Sequence, residues 1–425
     1  MIDLDRQLEL NPDAPFLVTK EGSFTYGEVD RLVVGRAGDL GDRVGDQVVI
    51  RPGIDVESVV EILAAARSGA TAVLVSAGLP DDRAARQIQV AAQEARPSQS
   101  ILFTSGSSGT PKGVRLTSSN WEAAASVSIG RLGHGPESRW LCPLPFHHVG
   151  GLSIIYRSMA AGGCVALAPG AADLVAWMGR VHFASLVPTQ LYRALEGRTE
   201  TFTNKPVVLI GGGRSEPHLL DTADAAGMTV LPTYGMTETT SQVATARRGD
   251  PRRRLLPLDG VQVRIGPDNR IQVRGPTVSP GYVGEPERSP ADWFTTSDLG
   301  RIEPDGALVV LGRTDRLIVT GGENVDPAEV ESEIESHPKV VEAAVVALPD
   351  QEWGQQIAAA YAGEVSTDEL RALVAPRLAA HAVPKRWLQV EALPRTDLGK
   401  IDTPRLVAMF GPDVPRTTYH VPRRT

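Results

Sequence analysis

The sequence predicts an α/β protein. A large N-terminal domain of α/β sheets carries a small antiparallel β subdomain and is followed by a small α+β C-terminal domain. Three observations predict this. Short apolar runs alternate with helix-length stretches up to about residue 231. Between about 255 and 312 the polarity alternates with a period of two, as in a half-exposed antiparallel sheet. After Gly312-Arg-Thr-Asp-Arg316 a shorter unit begins, with its own helix-start signals.

In chain order, Phe16-Leu-Val18 predicts a strand, Thr25 opens a helix, Gln47-Val-Val-Ile50 is a strand, a helix lies around residues 56–66, and Thr71-Ala-Val-Leu-Val75 is a strand. Ile101-Leu-Phe103 and Val114-Arg-Leu-Thr117 flank a Gly/Ser-rich segment, and Ser119-x-x-Glu122 has the form of a capping box. Gly163-Cys-Val-Ala-Leu167, Phe183-Ala-Ser-Leu-Val187, Val207-Val-Leu-Ile210 and Thr229-Val-Leu231 predict buried strands, with helices over 188–195 and 216–226. Val261-Gln-Val-Arg-Ile265, Arg270-Ile-Gln-Val-Arg274 and Ala307-Leu-Val-Val-Leu311 supply the period-two texture. In the last unit Asp326, Pro327 and Glu329 predict an N-cap, N1 and N3, and Ser366-x-x-Glu369 a second box. The division is 1–314, 315–410 and a flexible tail over 411–425, rich in proline and arginine.

A hydrophobic fraction of 42% and a charged fraction of 22% are ordinary for a soluble enzyme. The net charge of -8 argues against a dedicated nucleic-acid binder, and Arg252-Arg-Arg254 predicts only a solvated loop. Cys142 and Cys164 lack metal-ligand spacing and fit a reducing compartment. His147, His182 and His218 show no partner pattern for a metal. The N-terminus has no signal pattern and no apolar run reaches membrane-spanning length, which predicts a cytoplasmic protein without membrane insertion. Its partners are then small molecules, and a homodimer is compatible with it.

The segment Thr104-Ser-Gly-Ser-Ser-Gly-Thr-Pro-Lys112-Gly113 carries the first chemical signal. Hydroxyls donate, glycines let backbone N–H groups approach, and an ammonium neutralises; this is what wrapping a polyphosphate needs. A flexible linker has the same composition, but here two β-rich runs flank it and a lysine closes it. The Walker spacing fails, because Lys112 follows Pro111 and no Ser or Thr follows it. A phosphate site here is of the strand–loop–strand kind. Lysine is scarce, at 20, 112, 205, 339, 385 and 400, which adds weight to Lys112 and Lys400 beside glycines.

Four further segments follow in order: Tyr234-Gly-Met-Thr-Glu-Thr239, where a strand ends in a loop; Thr296-Ser-Asp298-Leu-Gly300; Gly312-Arg313-x-Asp315 before Thr320-Gly-Gly-Glu-Asn324; and Pro394-Arg-Thr-Asp-Leu-Gly-Lys400. With the loop they resemble the core motifs of the adenylate-forming superfamily, which comprises acyl-CoA synthetases, luciferases and adenylation domains, from about residue 15 to 410. The stretch before the loop is shorter than usual for that superfamily.

The resemblance implies ATP, Mg²⁺ and CoA as cofactor and co-substrates, and it implies roles. Thr104, Ser105, Gly106, Ser107, Ser108, Gly109, Thr110 and Lys112 hold the β- and γ-phosphates, and Gly211, Gly212 and Gly213 let backbone approach adenine. Tyr234 stacks on adenine, Thr237 contacts the α-phosphate and Glu238 ligates Mg²⁺. Asp298 accepts from the ribose hydroxyls and Arg313 contacts ribose and phosphate. Asp315 is the hinge of a mobile C-terminal domain, Lys400 the catalytic lysine bridging carboxylate and α-phosphate, and Gly321 and Gly322 line the CoA path.

For the acid, residues 140–158, Ser185-Leu-Val-Pro-Thr189 and Ser241-Gln242 are similar to o-succinylbenzoate–CoA ligases of menaquinone biosynthesis. His148 matches their motif histidine, while His147 stands where an aromatic residue is more usual. Such a substrate carries a second carboxylate that needs a partner when buried. Arg157 fits through a bidentate pair, against a surface arginine snorkelling over apolar neighbours. Gly150 and Gly151 make room for the ring, and Ser241 lines the pocket. The alternatives are a medium-chain or aryl acyl-CoA ligase and, from another class, a non-catalytic nucleotide-binding regulatory protein.

Overall fold

The computed structural model describes residues 4–105, 111–197, 200–213, 217–314, 316–395 and 401–411. The chain forms two compact units, one of residues 1–296 with 300–309, the other of residues 297–299 with 310–425. The tail expected over 411–425 lies, from residue 412 on, outside the described residues.

Two sheets organise the first unit. The larger has nine strands in the order Leu256–Pro257, Ser241–Thr245, Thr229–Met236, Val207–Ile210, Phe183–Leu186, Arg139–Cys142, Cys164–Leu167, Pro15–Val18 and Ser23–Thr25. Its centre is parallel and its two edges are antiparallel. Val207–Ile210, Phe183–Leu186 and Cys164–Leu167 are buried at every position, as a parallel sheet covered on both faces demands. The smaller sheet has the order Gly281–Tyr282, Pro111–Leu116, Ser100–Ser105, Thr71–Leu74 and Gln47–Ile50. Between the sheets, Leu102, Val114 and Leu116 share one core with Trp121, Trp140, Tyr156 and Val165. The rings of Trp121 and Tyr156, from the helices Ser118–Leu132 and Val149–Ala161, stack at 4.6 Å.

Three local readings change. The helix after the Gly/Ser segment is capped by Thr117, not Ser119: the Thr117 hydroxyl accepts from Asn120 N–H, and Asn120 returns a bond to Thr117 N–H. Asn120 Nδ2 also donates to the carbonyls of Pro276 and Val278, which a Glu at that place cannot do. The strand expected over 229–231 runs on to Met236, because after leaving its parallel neighbour it pairs antiparallel with Ser241–Thr245. Of the loop 252–254, Arg252 is solvated as expected, with its side chain 67% exposed, but Arg253 and Arg254 are largely covered and ion-paired. Arg253 pairs with Asp221 and Asp224, Arg254 with Asp250 and Asp305, and Arg252 with Asp305.

Period-two burial appears as expected in the four-stranded sheet Gln262–Ile265, Arg270–Arg274, Phe294–Ile302 and Leu308–Arg313, where Phe294, Thr296, Asp298 and Gly300 alternate inward. In the second unit Val340–Asp350 and Gly354–Gly363 pair antiparallel and Arg386–Val390 joins in parallel. The alternation separates two cores. Ala343, Val345 and Tyr361 face Val330, Ile334 and Leu370, while Ala344, Val346 and Leu348 face Leu406 and Phe410. Asp326 caps the helix Pro327–Glu335 through Ala328 N–H, and Ser366 caps Thr367–Val374 through Glu369 N–H.

A buried ionic cluster anchors the strand Pro111–Leu116. Arg115 and Glu94 have side chains only 3% exposed and lie 3.4 Å apart, and Arg96 grips the same carboxylate with two bonds of 2.6 and 2.7 Å. Burial pushes the Glu94 carboxyl up, but the bonds from Arg96 and the charges of Arg115 and Arg96 outweigh it and hold it at about 2. Its contribution to stability is therefore complete above the ordinary carboxylate range and is lost as pH falls toward that value. Glu94→Gln, which leaves Arg115 buried and uncompensated, is expected to cost about 3–5 kcal/mol by urea unfolding at neutral pH. The gap between the two proteins should narrow as the pH drops from about 5 toward 3.

Candidate active site

The strands Ser100–Ser105 and Pro111–Leu116 pair antiparallel, with Thr104 opposite Lys112, so the Gly/Ser segment closes a hairpin as expected. Gly106, Ser107, Ser108, Gly109 and Thr110 lie outside the described residues, and of Ser105 only the backbone is described. Lys112 is exposed beside the hairpin mouth, with Nζ 5.1 Å from the centre of the Tyr282 ring. Tyr282, from the next strand, donates its hydroxyl to Glu238 Oε1 at 2.8 Å. The carbonyl of Glu238 in turn accepts from Ser279 N–H at 2.8 Å. Burial and the neighbouring Glu238 charge raise the Tyr282 phenol, which keeps it a donor. Sequence reasoning passed over Tyr282; an aromatic after Pro280-Gly281, in a segment otherwise reading as a turn, was the available signal.

Glu238 sits in the single helical turn Thr237–Thr239 that follows the strand Thr229–Met236. Among the described residues its second oxygen accepts no hydrogen bond, and no group of three His, Cys, Asp or Glu is placed to hold a metal. One carboxylate completed by phosphate oxygens and water suits Mg²⁺, which dehydrates reluctantly. Gly211, Gly212 and Gly213 follow the neighbouring strand Val207–Ile210, and Gly212 takes φ +76°. A side chain on Gly211 would meet the methyl and carbonyl of Thr233 at about 3 Å. Tyr234 lies within its strand, not beyond its end, and its half-buried side chain packs against the apolar cluster that includes Val243, Ala244 and Val273.

The register slips between Tyr234 and Gly235, so the strand bulges there. A β-carbon on Gly235 would fall 1.7 Å from the carbonyl oxygen of Ser241. The return passes through Thr240 and Ser241 at φ +48° and +91°, a left-handed pair without glycine. That geometry aims Ser241 at Arg157.

Arg157 is on the helix Val149–Ala161 and is 3% exposed, which excludes the snorkelling alternative. Its Nε donates to Ser153 O at 3.0 Å, Nη1 to Gln242 Oε1 at 3.2 Å, and Nη2 to Ser241 Oγ at 3.3 Å and to Ser153 Oγ. Its Cζ lies 4.9 Å from the centre of the Trp140 ring. Every one of these partners is neutral, and burial lowers the guanidinium to about 9. The empty fork expected for a bidentate pair is not presented. One Nη1 hydrogen remains, flanked by long bonds to Ser241 and Gln242.

His148 stands at the N-cap of the same helix without using its side chain as the cap, 4.1 Å ring to ring from His147. Gly150 leaves space bounded by Leu144 Cδ1. Gly151, by contrast, is filled by its own chain, since a β-carbon there would lie 2.4 Å from the carbonyls of Leu144 and Pro145. The ring space expected at Gly151 is therefore occupied by backbone. His182 is a structural acceptor for Arg139 N–H.

In the second unit Asp298 is 6% exposed in mid-strand, not in a turn, with Arg313 Nη1 3.3 Å from Oδ1. Gly321 and Gly322, at φ +60° and +86°, form the two-residue turn between Ile318–Thr320 and Glu323–Val325. A β-carbon on Gly321 would strike the Trp353 ring at 2.4 Å. Asp315 and Lys400 lie outside the described residues.

The bulge generates a test that needs no substrate. Gly235→Ala is expected to lower stability by about 1–3 kcal/mol or more through overpacking against Ser241, read by thermal or urea unfolding. Gly22→Ala, which meets nothing within 4 Å, serves as the control.

Residues 91–285 match the AMP-binding enzyme family and residues 329–400 match the AMP-binding enzyme C-terminal domain. The 2-succinylbenzoate–CoA ligase of Listeria monocytogenes is 35% identical over 324 residues, 72% of this chain and 69% of the relative. That of Bacillus cereus is 32% identical across 92% of this chain and 95% of the relative. The o-succinylbenzoate CoA synthetase (MenE) of Bacillus subtilis, in complex with the acyl-adenylate intermediate OSB-AMP, superposes with a TM-score of 0.85 at 28% identity, over 97% of this chain and 98% of that one. ATP-bound MatB of Rhodopseudomonas palustris, 23% identical with a TM-score of 0.85, shares the fold. These likenesses establish that the chain belongs to the family of AMP-binding enzymes.

Proposed function

We propose that the chain is an AMP-forming acid–CoA ligase that activates o-succinylbenzoate with ATP and transfers it to CoA, a step of menaquinone biosynthesis. The relatives named above support the activity. Arg157 is the observation that carries the choice of acid. A guanidinium removed from water, held by four neutral oxygens and with no carboxylate in ion-pair range among the described residues, is an electrostatic deficit. The second carboxylate of o-succinylbenzoate supplies the missing charge, taking the remaining Nη1 hydrogen and hydroxyl bonds from Ser241 or Ser153. A fatty acyl chain would leave the deficit in place.

In the first half-reaction the aliphatic carboxylate attacks the α-phosphorus of ATP and pyrophosphate leaves. In the second the CoA thiol attacks the acyl carbonyl and AMP leaves. Mg²⁺, when bound at Glu238, neutralises charge gathering on the phosphates. Thr237 contacts the α-phosphate, Lys112 and the Gly/Ser segment hold the β- and γ-phosphates, and Tyr234 with Gly211–Gly213 holds adenine. His148, Gly150 and Ser241 line the acyl pocket. Asp298 and Arg313 bind ribose. Residues 1–314 form the adenylating part; Asp315 serves as hinge for residues 315–410, which bring Lys400 to the first step and Gly321 and Gly322 to the CoA path of the second. The protein works in the cytoplasm on small molecules, without nucleic acid.

Substrate-dependent ATP–pyrophosphate exchange tests the reading. Strong exchange with o-succinylbenzoate and weak exchange with fatty acids is expected; the reverse order sinks the proposal. Lys400→Ala should lose exchange by about 100-fold or more while still forming thioester from supplied acyl-AMP. Equal loss of both half-reactions would contradict its assignment.

A further inference from the structure

The interior beside Arg157 holds a second feature that no part of the adenylation chemistry uses. Trp140 and Phe183, from the neighbouring strands Arg139–Cys142 and Phe183–Leu186, stack with centroids 4.9 Å apart and 19° between planes. Arg157 closes one end of this stack, over Trp140 at 4.9 Å, and Arg248 closes the other, over Phe183 at 5.1 Å. His134 meets both rings edge-on, at 5.0 and 5.7 Å. The indole N–H of Trp140 donates to Ser185 Oγ at 3.1 Å, which fixes the ring's rotation in its plane. Trp140 is 1% exposed. Cation, ring, ring and cation therefore follow one another, and Arg157, 3% exposed, is the buried cation of the series.

We infer that Trp140 is a positioning residue for recognition of the second carboxylate: its indole face sets the plane of the Arg157 guanidinium and so the discrimination between diacids and monoacids. This inference rests on the proposed acid. An arginine side chain has four rotatable bonds, and its in-plane contacts include two long, weak ones, to Gln242 and Ser241. These are the contacts an incoming carboxylate displaces. Once they are exchanged, what remains to hold the guanidinium is the bond to the Ser153 carbonyl, the Ser153 hydroxyl and the indole face. Indole is the strongest of the aromatic platforms for a cation, and desolvation strengthens the attraction. The indole lies over the guanidinium carbon, while the hydroxyls of Ser153 and Ser241 lie within hydrogen-bond reach of Nη2.

The test compares two acids that differ only in the ring carboxylate, o-succinylbenzoate and benzoylpropionate, in wild type, Trp140→Phe and Trp140→Leu, with thermal unfolding of each. Trp140→Phe should lower the ratio of kcat/KM between diacid and monoacid by about 3- to 10-fold, and Trp140→Leu by about 10-fold or more, through KM for the diacid. The value for benzoylpropionate should stay within about 2-fold. Should Trp140→Leu fail to fold, Trp140→Phe, which keeps a stacking ring, decides the matter. Equal losses for both acids, or an unchanged ratio in a folded variant, overturn the positioning role while leaving the activity intact. A wild type with no preference for the diacid overturns the underlying reading and this one together.

Discussion

The close approach of Gly235 to the Ser241 carbonyl holds the site together. A strand that begins as a parallel member of the large sheet continues past its neighbour, bulges at Tyr234–Gly235 and folds back on itself as an antiparallel pair. One side of that return carries Tyr234, Thr237 and Glu238; the other carries Ser241 and Gln242, which bond to Arg157. A side chain at Gly235 would force the two strands apart, and with them Glu238 from Ser241 and Gln242. The strained backbone at Thr240 and Ser241 persists because this pairing over-determines it.

Two buried arginines show how differently the chain uses desolvated charge. Arg115 is matched by Glu94, itself gripped by Arg96, and the cluster ties the phosphate hairpin to the segment after the helix Asp81–Ala91. Among the described residues, Arg157 donates to hydroxyl, amide and carbonyl oxygens and lies over the Trp140 ring. The difference lies in charge: Arg115 has a carboxylate 3.4 Å away, whereas the hydrogen-bond partners of the Arg157 side chain are all neutral.

Much of the architecture was legible because buried parallel strands are near-continuous apolar runs: Val207–Ile210 and the helix Pro188–Leu195 carry the bounds expected of them. The misreadings share a cause. Thr117 rather than Ser119 caps its helix because Asn120 reaches a loop 156 residues away, and the strand Thr229–Met236 is extended by pairing with residues that follow it. Neither is a local property. The same holds in the site. Gly151 looks like room for a ligand, but it is where a helix presses on the carbonyls of Leu144 and Pro145. Motif spacing could place Arg157 on a helix, but only the fold decides which face of that helix is interior. Tyr282 carried no motif at all.

Tyr282 links two recognition tasks in one piece of backbone. Its strand is hydrogen-bonded to the strand that leaves the phosphate hairpin, its ring lies under Lys112, and its hydroxyl holds Glu238. The residues proposed for the triphosphate tail and for the metal, Lys112 and Glu238, thus both touch a single phenol, so the position of that ring bears on the two proposed sites at once.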